Sequence, residues 1–338
     1  MQPCAPVPRV ESVTIPSFAT SAPGNRADRA LAALGGWLRH EGYRFTAVTP
    51  ATHAAVNARP GGGIARTIAD VFGWSRPFAP ALLPRFAVEL LEQGNALERE
   101  GWFLKSTVRF STLGDLPFVH SAFPTVERDA VFFGPDTYRF ARFIEKSLGS
   151  LHPEAACTLI DVGCGTGAGG IFASTLLPRG SGLFLTDINA KALHYAWVNA
   201  KASGTDAVTL LEGDLFQSTP ARAALIVANP PYLVDGDARM YRNGGGALGS
   251  ELSLRIVREG LPVITPGGAI ILYTGAPVVA GIDALRAALI READAAGCVL
   301  AYEELDPDVF GEELHRPPYT AVDRIAAVGA VIRKPGPA

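Results

Sequence analysis

A chain of 338 residues with 48% hydrophobic content is long enough for one large core and one smaller one, and no polar low-complexity run marks a disordered half. Thirty basic and thirty-three acidic side chains leave a formal charge of -3, which excludes a global attraction for a phosphate backbone; a nucleic-acid partner, held unlikely, would need a local patch such as Arg128, Arg139, Arg142 and Lys146. Cys4, Cys157, Cys164 and Cys298 show neither paired zinc-ligand nor disulfide-framework spacing, and no run of 18 apolar residues is present, so no membrane partner and a cytoplasmic location are expected.

In chain order, residues 1–24 read as an irregular Pro- and Ser-rich leader. Residues 25–125 read as a separate N-terminal unit, a lid or substrate-selecting domain. Helical spacing covers 27–40, through Leu31, Leu34, Trp37 and Leu38, and shorter helices are expected at 50–58, 62–72 and 79–95. Extended pieces at Trp102–Phe110 and Leu116–Phe123, split by Gly114-Asp115, predict a hairpin.

From residue 131 to 334 strand-like runs alternate with helices, which specifies an α/β fold with a doubly wound, Rossmann-like sheet. Seven strands are expected, at 158–162, 183–187, 208–211, 225–228, 269–273, 299–302 and 325–332. The unbroken apolarity of the first of them calls for burial on both faces, as in parallel strands under crossover helices. Helices are expected at 168–177, 190–202, 249–260 and 280–293, and the acidic stretch from Glu303 to Glu313 reads as a solvated loop.

The first strand runs into Asp161-Val162-Gly163-Cys164-Gly165-Thr166-Gly167. Alternating glycines let the backbone turn sharply and lie against a ligand. Gly165, Gly167 and Gly170 also fit a dinucleotide loop, but Asp161 would repel a pyrophosphate and attract the ammonium of the methionyl part of S-adenosyl-L-methionine (SAM). Asp187, ending the next strand beside Ile188, suits ribose hydroxyls; Asp214 suits an adenine amino group, with Leu215 over the ring. All these carboxylates fall at strand ends, where such a sheet binds its ligand.

After the fourth strand comes Asn229-Pro230-Pro231-Tyr232. The prolines fix the turn and remove two backbone donors, leaving the Pro230 carbonyl and the Asn229 side chain to accept the hydrogens of a planar nitrogen, with Tyr232 stacked on the acceptor. The histidines offer neither a metal site nor a nucleophilic triad, and no metal is expected. His120 is expected to be packed rather than to reach the cleft.

On the Asp161–Gly167 loop, Asp187 and the Asn229–Tyr232 turn, the chain resembles class I SAM-dependent methyltransferases of the amino-methylating branch, and in its catalytic domain the release-factor glutamine N5-methyltransferases. Tyr241-Arg242-Asn243-Gly244-Gly245-Gly246 and the helix after it are similar to a segment of those enzymes. The resemblance implies strand order 3-2-1-4-5-7-6 and an acceptor nitrogen bound by Asn229 and the Pro230 carbonyl. One segment departs: Phe133-Gly134-Pro135-Asp136-Thr137-Tyr138-Arg139-Phe140 stands where the glutamine enzymes carry an Arg-Pro-Glu-Thr-Glu-like sequence. The expected function is therefore N-methylation of a small molecule; the alternatives are protein glutamine, then N6-adenine of DNA or RNA, then another use of SAM such as alkyl transfer or cyclisation. Oligomeric state is not read from the sequence.

Overall fold

The computed structural model describes residues 22–236 and 239–336; residues 1–21 of the expected leader, with Cys4, lie outside the described residues. Helix α1 (Arg26–His40) starts on a capping box in which the Asn25 side chain accepts from the Asp28 N–H and the Asp28 carboxylate accepts from the Asn25 N–H. Leu31, Leu34 and Leu38 on its inner face are buried, each worth about 1.5–3 kcal/mol. Helices α2 (Pro50–Asn57), α3 (Ile68–Phe72) and α4 (Arg85–Gln93) follow. The helix expected over 62–72 begins only at Ile68, because Thr67 and Asp70 cap each other's backbone there.

Two hairpins replace the single expected one. β1 (Leu97–Glu100) pairs with β2 (Phe103–Ser106), and β3 (Val108–Leu113) pairs with β4 (Leu116–Ser121) around Gly114-Asp115. The anticipated strand 102–110 is thus broken at Thr107, whose N–H donates to the Ala96 carbonyl, outside either ladder.

Helix α5 (Pro135–Leu151) leads into the sheet: β5 (Thr158–Val162), α6 (Ala168–Thr175), β6 (Gly182–Asp187), α7 (Ala190–Ser203), β7 (Val208–Glu212), β8 (Ala223–Ala228), α8 (Glu251–Gly260), β9 (Ile264–Val279), β10 (Ile282–Asp283), α9 (Ala284–Ala295), β11 (Val299–Asp306) and β12 (Arg324–Arg333). The order is β7-β6-β5-β8-β9-β12-β11, with the short β10 paired to β9. Strands β7 to β9 run parallel, and β12 is antiparallel to both its neighbours. This is the doubly wound α/β order 3-2-1-4-5-7-6 implied by the resemblance.

Successive residues of each central strand serve opposite faces. Leu159, Val227 and Ile271 enter one core, and Ile160, Ile226 and Ile270 the other, so helices must cover both. The N-terminal apolar cluster also takes in Ala192, Tyr195 and Val198 of α7, and beneath it Asp28 and His194 form a buried pair at 2.7 Å. Asn199 of α7 extends this junction: its Oδ1 accepts from the Val119 N–H at 2.6 Å, while Nδ2 donates to the carbonyls of Val119 and Thr166 at 3.1 and 2.9 Å.

Four carboxylates of the acidic stretch are ion-paired, while Asp308 and Glu312 are exposed. Glu303 meets Lys146 at 2.5 Å, Glu304 meets Arg324 at 2.8 Å and Asp306 meets Arg139 at 2.8 Å, while the buried Glu313 pairs with Arg242. The same contacts occupy Arg139 and Lys146 of the candidate basic patch. Among the described residues no helix is long and apolar enough to cross a membrane.

Candidate functional site

A cleft of about 720 Å3 opens beyond the carboxyl ends of β5, β6 and β8, where the winding of the sheet reverses. Its lining brings together Asp161, Gly163, Cys164, Gly165, Asp187, Ile188, Asp214, Leu215, Asn229, Pro230 and Tyr232. Gly167 is left out: it caps α6, and a Cβ there would meet Ile171, Leu185 and Ala196 at 3.1–3.2 Å. Its smallness serves helix packing, not the cleft wall.

Gly165 turns the loop at φ +54 with open space where a Cβ would point, so its backbone faces the cleft directly. Asp187 holds that turn, its carboxylate accepting from the Gly165 N–H at 2.8 Å and from the Asn189 N–H at 2.9 Å. Burial raises its pKa against the pull of those bonds. Asp161, 2% exposed, accepts from the Gly170 N–H at 2.7 Å. Burial, opposed by that bond and reinforced by the charge of Asp187, pushes its carboxyl up to about 7. Ile188 is 60% exposed, an apolar side chain held open on the cleft wall. Asp214 pairs with Arg255 at 3.0 Å, and Leu215 adopts φ 51 while its carbonyl accepts from Thr186 at 3.3 Å.

These groups fit SAM: an open glycine backbone, two carboxylates whose burial leaves them poorly compensated, and an apolar surface beside them. Asp161 would face its ammonium, Asp187 its ribose, and Ile188 with Leu215 its adenine, with Asp214 at the adenine edge.

At the other end of the cleft Asn229 is half-buried and its carboxamide has no hydrogen-bond partner among the described residues. The turn after it is clamped from beneath. Tyr232 donates through its hydroxyl to Asp136 at 2.5 Å, and Tyr273 donates to the other oxygen of Asp136 at 2.9 Å. Arg139 bridges Asp136 at 3.1 Å and Asp306 at 2.8 Å. Burial, then the nearby Asp136 charge, raises both phenols and keeps them protonated donors. The Tyr232 ring lies on the backbone of Gly275, where a Cβ would come within 2.2 Å of Cδ2. Its hydroxyl is therefore committed to the protein.

Tyr273 and Arg139 are not legible as site residues from the sequence, whereas Asp136, in the segment that departs from the glutamine enzymes, lines the cleft. One local signal was available: Gly275 inside a strand, the mark of a close approach. His120 is buried, bound to Ser111 at 2.8 Å, and does not line this cleft. Trp197 packs against the N-terminal elements rather than the sheet.

Residues 146–271 match the methyltransferase small domain family. The chain is 30% identical over 256 residues to a release factor glutamine methyltransferase of Yersinia pestis, covering 71% of this chain and 84% of that one. A protein of the same name from Deinococcus radiodurans is 33% identical over 127 residues, 34% of this chain; the match spans less than half, 44%, of that relative's length. Among solved structures, Methanocaldococcus jannaschii TYW2 in complex with AdoMet aligns over 68% of this chain and 90% of that one, at 12% identity and a TM-score of 0.45. Nothing in these relatives supports the small-molecule acceptor expected from the sequence. With the Yersinia pestis protein matched over most of its length, the chain belongs to the release factor glutamine methyltransferase family of SAM-dependent methyltransferases.

Proposed function

We propose that this protein methylates the side-chain amide nitrogen of a glutamine in a protein substrate, a bacterial release factor. The observation that carries the reading is the uncommitted Asn229 carboxamide beside the Pro230 carbonyl, in a turn that Pro230 and Pro231 strip of N–H donors. A primary amide offers two hydrogens on one planar nitrogen, and two adjacent acceptors match it. The names of the relatives supply the acceptor's identity.

The cofactor supplies a methyl group on a sulfonium, with a neutral thioether as leaving group. The protein's residues do the rest. Asn229 Oδ1 and the Pro230 carbonyl hold the amide hydrogens, fixing the nitrogen and raising its electron density as positive charge develops. The displaced amide proton leaves to water. Tyr232, Asp136 and Gly275 keep the turn from yielding. Residues 25–125 supply Thr49, Pro50 and Phe123 to the cleft wall, and we assign them a role in selecting the acceptor.

Incubation with SAM and a bacterial release factor, followed by tandem mass spectrometry of the peptides, is expected to locate one methyl on a glutamine side-chain amide. A release factor left unmodified while a small amine or amide is turned over would return the acceptor to the small-molecule class.

A further inference from the structure

The loop after β7 that carries Asp214 is fixed along its backbone. The Gly213 N–H donates to the Asp187 carbonyl at 3.1 Å, the Asp214 carbonyl accepts from the Gln217 N–H at 3.2 Å, and the Leu215 carbonyl accepts from the Thr186 hydroxyl at 3.3 Å. Asp214 therefore stands at the cleft wall with only its side-chain torsions left to be set.

Arg255 sets them. It reaches across from α8, outside the cleft lining, and its Nη2 donates to Asp214 Oδ2 at 3.0 Å. Glu259, one turn further along the same helix, accepts from Arg255 Nε at 3.1 Å and from Nη2 at 3.0 Å, so the guanidinium is itself held. The helix is seated on the loop: Leu215 shares an apolar cluster with Ile256 and Val257, and Phe216 lies so near Gly260 that a Cβ there would meet its ring at 3.1 Å. Asp214 Oδ1 is left without a hydrogen-bond partner among the described residues.

Both side chains of the pair are 38% exposed. An ion pair this open adds little to folding, because water serves either charge nearly as well. What it supplies is direction. One carboxylate oxygen is tied to the protein, and the other remains at a defined place on the cleft wall as an acceptor. An aromatic amine is the matching donor, and adenine carries one where Ile188 and Leu215 offer its ring apolar surface.

We propose that Arg255 is the positioning residue that makes this cleft selective for a 6-amino purine, acting through Asp214 without touching the cofactor. The inference rests on the assignment of Asp214 to the adenine edge and is independent of which acceptor is methylated. Without Arg255 the carboxylate turns to water, and binding must then order the side chain that the guanidinium holds ready.

Calorimetric titration of the full chain with S-adenosylhomocysteine and with its purine riboside analogue, which lacks only the 6-amino group, is the test. Wild type is expected to prefer the amino-bearing ligand about ten- to a hundredfold, the worth of a hydrogen bond to a charged group. Arg255→Gln should lower that preference about three- to tenfold, the ordering of one flexible side chain. The whole loss should fall on the amino-bearing ligand, with Tm and the affinity of the analogue unchanged; a general loosening of the cleft would weaken both ligands alike. Arg255→Lys, which keeps the charge but not the planar fork that meets Asp214 and Glu259 together, should fall between. In an Asp214→Ala background, Arg255→Gln should change nothing further. A wild type indifferent to the amino group, or a preference that survives Asp214→Ala, removes Asp214 from the adenine edge and the proposal with it. A preference lost in Asp214→Ala yet intact in Arg255→Gln, or an equal loss for both ligands, overturns the role of Arg255 alone.

Discussion

Replacing Asp161 by Asn is expected to stabilise the ligand-free chain at pH 8 while weakening its hold on SAM. The carboxyl is almost fully buried, with the Gly170 N–H as its hydrogen-bond donor, and its pKa stands at about 7 against 3.8 unperturbed. A raised pKa favours the protonated form in the folded state: that benefit is complete below the unfolded value and is lost as pH rises through about 7. At pH 8 the native chain therefore carries an ionisation cost on the order of 4 kcal/mol, from about three units at 1.36 kcal/mol each, which Asn does not. Binding runs the other way. If the ammonium of SAM sits against the carboxylate, a proton competes with it, and the apparent Kd rises by a factor of one plus ten to the power (7 minus pH). That amounts to about fivefold between pH 7 and 6 and about ninefold between pH 6 and 5. The Asn variant should bind more weakly and lose most of this slope. Calorimetric titration of both proteins with SAM across pH 5 to 7, alongside melting curves without ligand, measures both effects. A wild-type affinity flat over that range, or a variant with the same slope, would refute the pairing of Asp161 with the ammonium.

Asn229→Ala should leave SAM affinity within a few-fold of wild type and cost single-turnover methyl transfer about a hundred- to thousandfold, by analogy with removal of one oxyanion-hole donor. Gly275→Ala drives a Cβ to within 2.2 Å of Tyr232; it should destabilise the fold by about 1–3 kcal/mol and depress kcat through the displaced turn, and an unchanged kcat would remove Tyr232 from the alignment of the acceptor. Asp136→Asn weakens the charged acceptor of the Tyr232 and Tyr273 hydroxyls, so kcat should fall by up to about ten- to a hundredfold with SAM affinity retained; a change confined to SAM binding would contradict a positioning role.

The central strands were legible because both their faces are buried. Thr158–Val162 was predicted at the bounds it has, and the carboxylates after β5, β6 and β7 converge on one cleft because strand ends in this topology must. Elements with other sources of stability were not. Leu97–Glu100 is largely exposed and charged, so its apolar pattern is silent, and only pairing with Phe103–Ser106 makes it a strand. Strand β9 runs from Ile264 through Pro266-Gly267-Gly268, which reads as a turn, and on past Tyr273 because its far end pairs with Arg324–Ala327. The clamp under the Asn-Pro-Pro-Tyr turn joins Asp136, Tyr232, Tyr273 and Asp306, positions too far apart along the chain for any local pattern to relate them.

The Asn199 carboxamide substitutes for a strand. One planar group meets both the N–H and the C=O of Val119, as a neighbouring β-ladder would, and reaches with its second hydrogen to the carbonyl of Thr166 within the glycine turn. Because the amide is rigid, the edge of the hairpin and the turn that cradles the cofactor share one hinge pin. A ligand that shifts the Thr166 carbonyl must strain or release the grip on Val119, and by reciprocity whatever tugs the hairpin alters the free energy of occupying the turn. The same junction holds the buried Asp28–His194 pair and the apolar packing of Ala192, Tyr195 and Val198, so Asn199 is one of several links between the N-terminal elements and the cofactor end of the cleft.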